Sequence, residues 1–229
     1  MAGTTVQRAQ VEALVREALT RAMAGNGTLP AGAPAAAEPP RLIANISARH
    51  CHLNQKAVDI LFGAGSSLTP MKDLYQHGAF AAEETVTVFG PRQQMISGVR
   101  ILGPLRDDCQ IELAFTETRF LGIDAPIRIS GDIEGTPGCY LVGPAGGLEL
   151  THGVIRAARH VHMSPSDAAH YGVEQGDRMR LVVDGEQGGT LGDVLVRVGP
   201  DLRLEVHVDT DEGNALDLVN ARSVRLEKM

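Results

Sequence analysis

The 229-residue chain contains no tryptophan, and aromatic residues make up only 3% of it. A core must therefore be aliphatic, and apolar residues at 43% are enough to bury one. Cysteine is scarce as well: Cys51, Cys109 and Cys139 form no CxxC pair and no dense framework. That excludes a disulfide-stapled secreted scaffold and points to a reduced, intracellular protein. No apolar run approaches the ~18 residues that a membrane span requires. The N-terminus does not read as a secretory signal, because Glu12, Arg16 and Glu17 interrupt what would be its apolar stretch. Positive charge is in deficit too. A formal charge of −7 argues against general nucleic-acid binding, since no basic field draws in phosphate backbones. Local basic residues can still hold a small anion.

What is plentiful is punctuation: 26 glycines and 12 prolines predict short elements joined by many turns. The length allows one large domain or two small ones. Val6 to Met23 reads as an amphipathic helix, with Val11, Leu14, Val15, Ala18, Leu19 and Ala22 recurring at spacings of three and four. A stretch rich in Gly, Pro and Ala follows as a flexible linker. The helix either docks on its own domain or serves as a docking peptide for another protein. From Arg41 onward the pattern is of strands: RLIANISA, TVTVF, MISGVRIL, CQIELAF, APIRIS, CYLVG, GVIRAARHVH, RMRLVV, DVLVRV and LRLEVHV. Many short strands between regular turns predict a mainly β fold of barrels or sandwiches.

One motif occurs twice. Ala48-Arg49-His50-Cys51-His52-Leu53-Asn54 matches Ala158-Arg159-His160-Val161-His162-Met163-Ser164, and four of the eight histidines sit in these copies. Each copy runs into a short helix, N-capped by Asn54 or Ser164 and stopped at Gly63 or Gly172, with Pro165 at the first helical position of the second. Two related halves follow from this. Residues i and i+2 of a strand face the same side, so His50 and His52 can converge on one ion while Cys51 faces away. The same holds for His160 and His162 around Val161.

A single His-x-His is an ordinary surface pair more often than a metal site, but two copies in matching contexts are a stronger signal. Neutral imidazole suits zinc. A third ligand is needed on each side. His207 shares the polar face of LRLEVHV with Arg203, Glu205 and Asp209. Glu112 opposes Ile111 and Leu113 in CQIELAF. Read singly, each is most simply a solvated residue. Together they give His50, His52 and Glu112 for one ion, and His160, His162 and His207 for the other. Each set leaves a position open for substrate. His77, His152 and His170 lack such a context.

Taken together, ISARHCHLNQKAVDILFGAGSSLTPMKDLYQHGAFAAEETV, VRILGPLR and ARHVHMSPSDAA resemble the phosphotransacylases, or phosphate propanoyltransferases, of bacterial microcompartments. The resemblance runs from about Arg41 to Leu218. It implies an enzyme that interconverts acyl-CoA plus phosphate with acyl phosphate plus CoA at a site holding two divalent ions, expected to be Zn2+. It implies two small β-barrels capped by short helices, one built from 41–48 with 158–229 and the other from 49–157. It assigns residues 1–24 to an encapsulation helix on a linker, 25–40. That helix would carry the protein, expected as a homo-oligomer, to shell or lumen partners inside the microcompartment. By similarity Arg106 falls on the phosphate-contacting arginine. Ser47, Lys72, Arg100 and Asn214 fall on positions lining the coenzyme A site.

For the reaction so implied, a bidentate guanidinium suits the phosphate, and zinc can polarise an oxygen or accept a thiolate. Cys51 faces away from the metal side and is not needed as a nucleophile. Two other readings stand. A cupin-like metal enzyme also uses His-x-His and a later His, but usually carries Glu soon after the second His, and Asn54–Ala57 and Ser164–Asp167 have none. A non-catalytic binding module with structural metals is the other.

Overall fold

Alternating apolar and polar residues fold into fifteen strands among the described residues, 40–229, of the computed structural model. The helix expected over Val6 to Met23 and the linker after it lie outside the described residues. Six strands form one sheet, in the order β1 (Ile43–Ser47), β14 (Glu205–Asp209), β11 (His160–Met163), β13 (Gly189–Val198), β12 (Arg178–Asp184) and β15 (Ser223–Lys228). A nine-stranded sheet runs β7 (Ile127–Arg128), β10 (Val154–Ala157), β6 (Gln110–Glu112), β2 (His50–His52), β5 (Met95–Gly103), β4 (Phe80–Phe89), β8 (Cys139–Val142) and β9 (Gly147–Leu150). β3 (Pro70–Asp73) pairs with β4 off this path. The fold is mainly β, as expected, with both sheets curled into half-barrels.

Each sheet closes over its own aliphatic core. Cys51, Leu53, Val99, Ile101 and Ile111 lie in that of the nine-stranded sheet. Val161, Met163, Val194, Val196 and Val206 lie in that of the six-stranded one. Four short helices cap the sheets: α1 (Gln55–Phe62), α2 (Phe115–Leu121), α3 (Pro165–Tyr171) and α4 (Thr210–Ala215). Asn54 caps α1 by accepting from Ala57 N, and Gly63 ends it. Ser164 caps α3, Pro165 opens it and Gly172 ends it in the left-handed conformation that a glycine adopts freely. All four cap positions match the sequence expectation.

The duplicated motif sits in a duplicated neighbourhood. β2 lies between β5, parallel to it, and β6, antiparallel. β11 lies between β13, parallel, and β14, antiparallel. Outside β6 runs β10, parallel; outside β14 runs β1, parallel. The quartet β10-β6-β2-β5 therefore repeats as β1-β14-β11-β13. The strand leading into each motif belongs to the opposite sheet, because β1 precedes β2 and β10 precedes β11 in the chain.

That crossing corrects one reading. GVIRAARHVH is not a single strand but two, broken at Ala158 and Arg159 where the chain passes from one sheet to the other. CQIELAF is also shorter than its pattern predicts: the strand ends at Glu112, and Phe115 begins α2. β3, β9 and β15 were not read from the sequence. β3 is exposed throughout, so no buried face marks it.

Candidate metal centre

The strands that carry the histidines alternate between core and cleft. Cys51 and Leu53, Ile111 and Leu113, Val161 and Met163, and Val206 and Val208 are all buried in the cores. The residues between them project from the other face, as period-2 alternation requires. Register then builds two squares of side chains. On one sheet His50 pairs with Glu112 and His52 with Gln110. On the other His160 pairs with His207 and His162 with Glu205. Paired residues share a face, so each square is a compact polar patch.

All corners of the two squares except Gln110 line one cleft of about 460 Å³. The ligand atoms of His50, His52 and Glu112 lie within 4.8 Å of one another, and so do those of His160, His162 and His207. His160 stacks on His207 with ring centroids 4.9 Å apart, and His162 lies 4.8 Å from His207. In each motif copy the first histidine is anchored the same way. His50 Nδ1 lies 2.9 Å from Ala48 O and His160 Nδ1 lies 2.9 Å from Ala158 O. A carbonyl only accepts, so Nδ1 carries the proton in each and Nε2 offers its lone pair. The second histidine of each copy is the reverse: Nδ1 of His52 and of His162 is buried without a hydrogen-bond partner. His207 Nε2 is likewise unpartnered, while its Nδ1 meets Ser47 Oγ at 3.3 Å.

Buried polar atoms without partners are rare, because each costs about 1–3 kcal/mol. Among the side chains of the described residues, all three belong to histidines of the two squares. The donor sets, two imidazoles with a carboxylate and three imidazoles, are those that suit a divalent ion such as zinc. The residues present fit such an ion.

Electrostatics favour ligation as well. Burial, helped by Arg106 and His50, lowers the His52 pKa to about 3. Burial and His207 lower that of His160 to about 4. Burial and the neighbouring imidazoles lower His162 as well. These rings stay neutral, the form that binds metal. Burial opposes charging His50 too, but the Glu112 carboxylate beside it outweighs this and raises its pKa. Burial pushes the Glu112 pKa up, and His50, His52 and Ser130 pull it down further, so the group is held ionised. Its Oε1 accepts from Ser130 Oγ at 3.0 Å and from Gln110 Nε2, leaving Oε2 toward His50 Nε2 at 3.4 Å.

A family model described as phosphate propanoyltransferase matches residues 43–219. The chain belongs to the phosphate propanoyltransferase family. A phosphate propanoyltransferase of Planctopirus limnophila is 56% identical over 225 residues, covering 97% of this chain and 92% of that protein. One of Rhodopseudomonas palustris is 40% identical over 224 residues, covering 97% and 99%. One of Thermotoga maritima is 48% identical over 177 residues, covering 77% and 84%.

Beyond the five histidines and Glu112, Ser47, Lys72, Arg100 and Arg106 also line the cleft. Arg106 Nη1 donates to Ser130 Oγ at 3.1 Å, which ties the guanidinium to the Glu112 network. Arg100 Nη1 donates to the carbonyls of Ala82 and Glu83, both at 2.9 Å, so its side chain is held before any ligand arrives. Asn214 is not brought to this cleft; it lies exposed on α4. Cys51 is buried in the core on the far side of β2, and burial raises its pKa. Its thiol does not reach the cleft. His77, His152 and His170 are exposed. Sequence reasoning missed Gln110 and Glu205, which complete the two squares, and Ser130 and Arg197, which line the cleft beside them. Their only sequence signal is alternation: Gln110 stands two positions before Glu112, and Glu205 two before His207.

Proposed function

We propose that the protein transfers an acyl group between coenzyme A and inorganic phosphate in a cleft that holds two divalent ions, zinc being the metal the donor set suits. The observation that carries this reading is the pair of histidine clusters lining one cleft with Arg106, with unpartnered nitrogens on His52, His162 and His207. The family supports phosphate acyltransferase chemistry, and the relatives' name specifies propanoyl transfer. In this reading the cleft lies between two barrel domains, 41–48 with 158–229 and 49–157, in a homo-oligomeric protein.

Phosphate attacks the thioester carbonyl, the carbonyl–sulfur bond breaks, and CoA leaves as thiolate. Arg106 grips the phosphate dianion through parallel N–H donors and holds an oxygen against the carbonyl carbon. Ser130 keeps that guanidinium from swinging away. Arg100, pre-positioned by two carbonyls, and Lys72 supply positive charge for the phosphates of the coenzyme. Bound metal would polarise the reacting oxygen and accept developing sulfur charge. Holding both reactants side by side removes several kcal/mol of barrier, on the order of 7 or more in well-oriented systems. No cysteine of the described residues lines the cleft, and direct attack by phosphate requires no acyl-enzyme.

Residues 1–24 act as the docking segment toward microcompartment shell or lumen proteins. The apolar stripe of Val11, Leu14, Val15, Ala18, Leu19 and Ala22 supports this. The decisive experiment pairs elemental analysis with thiol release from propanoyl-CoA at varied phosphate. Two equivalents of metal and phosphate-dependent release are expected. Release that ignores phosphate, or a protein that binds iron and consumes oxygen, overturns the reading.

A further inference from the structure

The two squares differ in how they obtain negative charge. In the first, Glu112 faces His50 across the ladder and Gln110 occupies the fourth corner. In the second, His207 faces His160, and the fourth corner is a carboxylate, Glu205. Glu205 is only 3% exposed. Its Oε2 lies 3.1 Å from His207 Nε2, but without the alignment of a hydrogen bond, since that nitrogen has no partner. Ser47 Oγ already meets the other ring nitrogen, Nδ1. If Nδ1–H donates to Ser47, Nε2 presents a lone pair beside an anionic oxygen. Two electron-rich atoms at that separation repel unless positive charge lies between or near them. A buried carboxylate without a counter-charge is costly in any case.

The carboxylate is also held from the opposite sheet. Gln76, in the turn between β3 and β4, donates from Nε2 to Glu205 Oε2 at 2.7 Å. That amide is fixed at both ends, since Nε2 also reaches Arg203 O and Oε1 accepts from Arg203 N, each at 3.2 Å. Tyr75 lies next to it, and the Arg203 guanidinium sits 5.4 Å from its ring centre. The turn is thereby strapped onto the start of β14.

We infer that Glu205 is the charge-balancing carboxylate of the His160–His162–His207 ion, and that Gln76 holds it in place from the other sheet. This rests on the two-ion reading above. Each square then carries one negative charge: Glu112 as a direct ligand, Glu205 as the neighbour that offsets the ion beside His207. The choice of fourth corner follows from the third ligand. A carboxylate ligand needs a donor beside it, hence Gln110; an imidazole ligand tolerates and gains from an anion, hence Glu205. Residues supporting metal ligands in this way typically alter affinity by ~10–100-fold when replaced.

The test uses the full chain loaded with two equivalents of Zn2+ and titrated with a chromophoric zinc chelator. Glu205→Gln keeps shape and removes charge. One of its two ions should leave at a chelator concentration roughly 10–100-fold lower than in the parent, with the other ion unmoved. Gln76→Ala should weaken the same ion by a smaller factor, and it carries the test if Glu205→Gln does not fold. The metal-stripped Glu205→Gln protein should melt no lower than the parent, because a buried charge has been removed. If the parent holds two ions and both variants release them as it does, the inference fails alone. A lower melting temperature with unchanged zinc release assigns Glu205 a packing role and also overturns it. A parent that cannot hold two ions overturns the two-ion reading and this inference together.

Discussion

At the scale of the residue, direction matters as much as identity. The paired histidines of each motif offer different ring nitrogens because only the first is anchored by the carbonyl two residues before it. A strand places two imidazoles side by side, and this difference lets both reach one point. In the two-ion reading, replacing His160 by Ala removes one of three imidazoles from its ion. Turnover should vanish, and elemental analysis should find about half the parent's metal. Arg106→Ala should chiefly raise the KM for phosphate, by about 10-fold or more, since a charge-assisted contact is worth ~1.5–3 kcal/mol. An effect confined to CoA affinity, seen by varying each substrate in turn, would contradict the role. His50, His52, His160 and His162 were legible because a repeated motif announces itself. Glu205 was not. Its importance depends on register with His162, and nothing local tells residue 205 which strand it will lie beside.

At the scale of the element, each His-x-His strand is short and leads at once into a capped helix, so the helix start fixes where the strand ends. Ser164 accepts from Asp167 N at 3.2 Å, and Asp167 Oδ2 accepts from Ser164 N at 3.0 Å. Ser164→Ala should cost ~0.5–2 kcal/mol, read as a lower denaturant midpoint, while zinc stoichiometry stays at the parent value. These caps were legible because cap chemistry is local. The break inside GVIRAARHVH was not, because no glycine or proline marks it. Arg156 and Arg159 are tethered instead by partners far off in the chain, Ala125 O and Glu212.

At the scale of the whole molecule, buried histidines make the metal-free protein sensitive to acid. His52 and His160 are held near 3 and 4, mainly by burial, against ~6.5 when unfolded. Between those values the unfolded chain binds protons that the native one refuses. Stability is therefore full above about pH 6.5 and falls on acidification, by on the order of 1 kcal/mol per pH unit for each such group. His50, with its pKa raised beside Glu112, works the other way: its contribution is present below ~6.5 and fades as pH rises. His162 is lowered too, and three such groups outweigh one, so urea midpoints of the zinc-stripped protein should drop between pH 7 and 5. A flat profile would refute this balance. Deleting residues 1–39 should spare phosphate-dependent acyl transfer, because β1 begins at Ile43. Co-sedimentation with shell proteins should be lost. The mainly β class was legible from short alternating runs, but the exchange of β1 and β10 between sheets was not, since alternation says nothing about partner choice.

That exchange has a consequence for how the protein is made. β1 pairs along one edge with β14, Ile43 opposite Glu205, 162 positions later (205 − 43). At roughly 5–20 residues per second on the ribosome, an early, apolar strand waits on the order of 10–30 seconds for its mate to be synthesised. Nascent chains stalled before residue 205 should therefore be the ones that chaperones hold longest.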